Sequence, residues 1–127
     1  MKKPKIIVQV LAEEHGFSAV ATVHHHFIAT QGETFTELKN NVLEAVQLTF
    51  QDSFTYAMNE LIFELDVPSL LDSFPINVSA FAGYIGINKS LLAQYANGSK
   101  KPAHKQAQRI INGIQQLGNE LSSIRLS

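Results

Sequence analysis

Up to about residue 66 the hydrophobic pattern of this chain is that of strands around one helix, and beyond it is helical throughout, which limits the folds open to it. In the strand segments of the first part, apolar residues fall on alternate positions. Phe17, Ala19, Ala21 and Val23 alternate with Ser18, Val20 and Thr22, and Leu61, Phe63 and Leu65 alternate within ELIFELD. A period of two puts successive side chains on opposite faces of a strand. Residues 5–11 (KIIVQVL) are mostly apolar and are expected to form a central strand covered on both faces. A third short strand is expected at about residues 26–30 (HFIAT). A helix follows: Thr34 with Glu37 three residues on is a capping-box signature, and Phe35, Leu38, Val42, Ala45, Val46 and Thr49 recur at three and four. The expected order is β-β-β-α-β, one sheet with a helix on one face.

After residue 66 the pattern is helical. Residues 66–77 (DVPSLLDSFPIN) carry Pro68 and Pro75 and read as a linker with one turn of helix. Asn77 is placed to cap a helix over 78–85, Gly86 to turn the chain, and Asn88 to cap a second helix over 89–96 that stops at Asn97-Gly98. Pro102 suits the start of a last helix, where Ile110, Ile114, Leu117, Leu121 and Ile124 step by four and three. The expected fold class is an α+β domain at 1–67, a linker at 68–77 and an all-α helix-turn-helix domain at 78–127.

Charge divides near the same place. Residues 1–73 hold four Lys against ten Asp and Glu, net −6; residues 74–127 hold six Lys and Arg against Glu120 alone, net +5. Two modules with different partners would produce such a split. The chain has no cysteine, which removes disulfides and thiolate metal sites and points to a cytoplasmic location. No apolar run approaches a membrane span, and MKKPKIIVQV reads as a strand rather than a secretion signal.

The stretch IGINKSLLAQYANGSKKP has three Lys and no carboxylate. Two short helices joined by a tight Gly turn form a helix-turn-helix unit, whose second helix enters the DNA major groove by its N-terminus. Lys89, Ser90 and Leu91 fall on that first turn, and Gln94 lies one turn on, where Gln can bond adenine through two contacts. Lys100, Lys101 and Lys105 suit phosphate contacts, which add affinity without sequence information. A plain helical hairpin with a solvated basic face shares this pattern. The NG stop, the KKP that follows and the lack of acid favour DNA.

NVSAFAGYIGINKSLLAQYANGSKKP resembles the Cro/C1 class of helix-turn-helix, with Ala82, Gly86, Ile87, Leu92 and the Asn97-Gly98 pair at that class's core and turn positions. The whole chain is similar to HicB-type antitoxins, through FSAVATV, the Gly32-Glu33-Thr34 entry and TFTELKNNVLEAVQLTF. Where that family commonly has a D-L-P-G-C-like segment, this chain has His24-His25-His26-Phe27. The resemblance implies a partial RNase H-like domain that masks a small, basic, RNA-cleaving toxin of the HicA type. It also implies a second domain that binds operator DNA and represses its own operon. A stand-alone regulator with a small-molecule-sensing N-terminal domain is the alternative, and a degenerate RNA-binding nuclease domain a third.

Catalysis is not expected. Two-metal phosphoryl chemistry needs converging carboxylates, and residues 5–11 contain none. Glu60, Glu64 and Asp66 read as the wet face of the last strand. No cofactor is expected. His24 and His26 are weak metal candidates, together with His15 or a carboxylate, against the plainer reading of a solvated loop-edge cluster. The apolar stripe of the last helix is expected to outrun its own core, which points to a homodimer or higher homo-oligomer.

Overall fold

The computed structural model describes residues 2–127. The chain is α+β, with a four-stranded mixed sheet and five α-helices among the described residues. It divides into two compact units, residues 1–66 and 67–127.

The first unit holds β1 (Ile6–Ala12), β2 (Phe17–Val23), β3 (His26–Gly32), α1 (Phe35–Phe50) and β4 (Leu61–Glu64), the last preceded by a 3-10 turn at Met58–Glu60. The strand order is β3-β2-β1-β4. β1 pairs antiparallel with β2 and parallel with β4, and β2 pairs antiparallel with β3. Antiparallel neighbours need only short turns, whereas the parallel β4 needs a long connection, which α1 supplies. The hydroxyl of Thr34 accepts from the backbone N–H of Glu37 at 3.0 Å and so starts α1. Leu38, Val42, Val46 and Phe50, a stripe of steps of four, are buried with Ile6, Val8, Val10, Ala19, Ala21, Val23 and Ile28.

Only one face of the sheet is covered. β1 alternates buried and exposed residues rather than being covered on both faces as its composition led us to expect. Ile7, Leu11, Val20, Phe27 and Ile62 are all exposed large apolar residues. The register puts Ile7 beside Ile62, Val20 beside Gln9, and Phe27 beside Thr22, so these residues share one open face.

The second unit holds α2 (Val67–Ser73), α3 (Val78–Ile85), α4 (Lys89–Asn97) and α5 (His104–Ser122). The stretch read as a linker therefore carries a full helix. Pro68 sits in the first turn of α2, where it displaces no helical hydrogen bond, and Leu71 is buried in the unit's core. That core is Leu71, Phe81, Ala82, Ile87, Leu92, Tyr95 and Ile110. Pro102 lies just ahead of the α5 N-cap, Ala103, rather than inside the helix. Gly113 is buried, and a Cβ there would lie 2.2 Å from Ile85 Cγ2, so α3 and α5 touch where α5 has no side chain. Beyond Leu117 the stripe leaves the core: Leu121 and Ile124 are exposed and Leu126 is 96% exposed. No helix among the described residues is long and apolar enough to cross a membrane.

Candidate nucleic-acid interface

α3 and α4 are joined by Gly86-Ile87-Asn88. Each residue of that joint has a separate task. Gly86 takes φ 75 at the end of α3, in the left-handed region where a side chain is strained. Its N–H and that of Ile87 both bond the carbonyl of Ala82, the latter at 3.0 Å, so the helix end is satisfied. Ile87 is buried and anchors the bend in the core. Asn88 then caps α4, its side-chain oxygen accepting from the N–H of Leu91 at 3.1 Å. Asn77 caps α3 in the same way, accepting from Ala80 at 3.0 Å.

Leu92 and Tyr95 bury one side of α4. The opposite side is left to water, and Lys89, Ser90, Ala93, Gln94 and Asn97 are all exposed there. Leu91 differs from its sequence assignment. It is half-buried and packs against the core cluster, so its side chain serves the fold first. The other six site residues read from sequence are exposed.

The loop after α4 is tied down. Gly98 takes φ 81 and closes the helix. The side chain of Asn97 accepts from the N–H of Ser99 at 2.8 Å and from its hydroxyl at 2.5 Å. The N–H of Lys100 returns to the carbonyl of Gln94 at 3.2 Å. These bonds hold Lys100 and Lys101 beside the C-terminal end of α4. Cations there also favour the negative end of the helix dipole, a structural role that needs no DNA.

Arg109 was not among the residues singled out from sequence. A Cβ added to Gly86 would lie 3.5 Å from its Nη2, so the guanidinium stands over the α3–α4 turn. It also lines a hollow of about 620 Å³ on α5 with His104, Lys105, Gln106, Gln108 and Asn112. Between Asp72 and Glu120 the unit has no carboxylate, so nothing acidic in that stretch offsets Lys89, Lys100, Lys101, Lys105 and Arg109.

The histidines are not assembled into a metal site. His24 and His25 make the turn between β2 and β3, with His24 at φ 55. His26 begins β3, its ring edge-on to Phe50 at 5.3 Å. His15 precedes β2 at its other end, a strand length of about 20 Å away. No group of three His, Cys, Asp or Glu is placed to hold a metal ion among the described residues. The acids near β4 are also separate. Glu60 lies in the 3-10 turn, bonded to Lys3 at 2.7 Å, and this bond holds its carboxyl below the ordinary value. Glu64 lies on the open sheet face and accepts from Gln9 at 2.7 Å.

Comparison with family models, with curated proteins and with solved structures gave no significant match.

Proposed function

We propose that the chain is the antitoxin of a type II toxin–antitoxin pair. Its sheet unit is a partial RNase H-like domain that masks a small, basic, RNA-cleaving toxin of the HicA type. Its helical unit is a Cro/C1-type helix-turn-helix that binds operator DNA and represses its own operon. The chain acts without catalysis or cofactor, in the cytoplasm, as a homodimer or higher homo-oligomer. The observation that carries the DNA half is the exposed, acid-free side of α4, with Lys89, Ser90 and Gln94 facing water and Lys100 and Lys101 held beside it. The antitoxin half rests on the likeness to HicB sequences and on charge. Residues 1–66 hold four Lys against nine Asp and Glu, net −5, which suits a cationic partner. Self-association is supported by Leu121, Ile124 and Leu126 standing in water.

Gln94→Ala is expected to relax sequence preference at a cost of about 1–3 kcal/mol on the preferred site. Lys100→Ala with Lys101→Ala is expected to weaken specific and random DNA alike and to lower the salt slope by about one per lysine. Fluorescence anisotropy over a salt series, with the chain's own promoter fragment and a scrambled duplex, measures both. Equal losses on both duplexes for Gln94→Ala would remove its reading role.

The antitoxin role is tested by expressing the protein of the adjacent reading frame, alone and with this chain. A short basic product that stops growth, and a recovery when both are made, is the expected result. A second reading, a sensor-type regulator, is favoured by a hollow of about 570 Å³ lined by His24, His25, His26, Phe50 and Phe54, a size common for small-molecule sites. An adjacent frame encoding no such basic protein would favour the sensor.

A further inference from the structure

The open face of the sheet has a composition that DNA binding does not use. Its rows can be read from the pairing. One row is Phe27, Thr22, Ile7 and Ile62; the next is Ala29, Val20, Gln9 and Glu64; the third includes Gln31, Ser18 and Leu11. Phe27 is 70% exposed, Leu11 53%, Val20 42%, Ile7 40% and Ile62 38%. Single exposed apolar residues are ordinary, but several on one continuous surface mark a place where something else binds.

The face is also polarised. Its acidic end carries a hollow of about 360 Å³ lined by Gln9, Val10, Leu11, Ser18, Val20, Glu64 and Asp66. Glu13 stands at the same end, accepting from the hydroxyl of Ser18 at 2.7 Å. Lys5, one step ahead of β1 in the same alternation, is the basic residue at the apolar end. Four strands span about 14 Å across at the usual spacing of about 4.8 Å, room for one helix of about 10 Å diameter.

We propose that this face is a docking surface for a cationic amphipathic segment of a partner protein. The partner's apolar side covers Ile7, Leu11, Val20, Phe27 and Ile62, and one of its Lys or Arg side chains meets the acidic end at Glu64. Charge decides the occupant. A second copy would set a net −5 unit against another net −5 unit, whereas a basic segment meets complementary charge. The proposal deepens the antitoxin reading by naming where the partner sits.

The test has two arms. In the first, the full chain is titrated with a helical peptide of Leu and Lys having one apolar face, and with a Leu–Glu counterpart, by NMR. Shifts centred on Ile7, Leu11, Val20, Phe27 and Ile62 with the Lys peptide alone support the proposal. No binding, equal binding of both peptides, or shifts elsewhere overturn it. In the second arm, Leu11→Lys/Phe27→Lys is compared with the parent for binding of the adjacent-frame protein. Both side chains are already largely in water, so circular dichroism melts should coincide. An affinity loss of at least a hundredfold, with operator binding unchanged, is expected; parent-like affinity overturns the assignment. A mass by sedimentation that falls from dimer to monomer in this variant would make the occupant a second copy and also overturn it. If the parent itself ignores the adjacent protein, the antitoxin reading fails, and the peptide arm still decides the face.

Discussion

Leu92→Ala is expected to unfold the helical unit and with it to abolish the proposed DNA binding. Leu92 is fully buried, one of the seven buried hydrophobic residues that make the core cluster of that unit. Truncating a buried Leu to Ala costs about 2–5 kcal/mol, because the lost transfer energy and the cavity add. A unit of this size has about 3–9 kcal/mol of stability in total, so the loss takes most or all of it. α4 then has nothing to hold its inner side, and its outer side loses its fixed placement. Hydrogen exchange of the α2–α5 amides and anisotropy on the promoter fragment should change together. Leu92→Met keeps the volume and should cost under about 1.5 kcal/mol. If Leu92→Ala melts and binds like the parent, the packing assigned to α4 is wrong.

Gly16→Ala is expected to lower stability by about 2–5 kcal/mol, combining left-handed backbone strain with forced overlap. Gly16 has φ 83, and a Cβ there would lie 2.3 Å from the carbonyl oxygen of Gly32 and 2.8 Å from Glu33 Cα. Both obstacles are backbone and cannot rotate away. Gly32 is in turn pressed against α1, since a Cβ on it would lie 2.6 Å from the N of Leu38. The β1–β2 turn thus rests directly on the entry to α1. Gly98 gives the matched control. It has φ 81, but its nearest neighbour would be Pro68 Cγ at 3.9 Å, so Gly98→Ala adds strain without overlap. The melting midpoint should fall by roughly 10 °C or more for Gly16→Ala, and clearly less for Gly98→Ala. Equal shifts would show that φ alone, not close approach, governs Gly16.

What could be read from the sequence follows from the range of the forces involved. Asn77, Gly86, Asn88 and Gly98 mark helix ends through bonds made within one turn, so their letters were enough. β1 is not legible in this respect, because Ile7 and Leu11 are apolar on a face that water reaches, which makes a half-covered strand look fully covered. Its neighbour β2 carries Ser18 and Thr22 on that face and was legible. α2 falls where Pro68 and Pro75 mark a linker with one turn of helix, yet Pro68 in a first turn breaks nothing, and Leu71 in the core holds a longer helix. The sequence pattern put Leu91 on the reading side of α4, but packing takes it partly inward. Arg109 could not have been placed at all, since it reaches the Gly86 turn only through the packing of α5.

The far end of α5 has a consequence for control. Leu121, Ile124 and Leu126 stand in water and would gain shelter in the self-association proposed above. Pairing of that kind makes the active species rise with the square of the amount of protein. For the repressor proposed above, a modest drop in supply would then empty the promoter abruptly rather than in proportion.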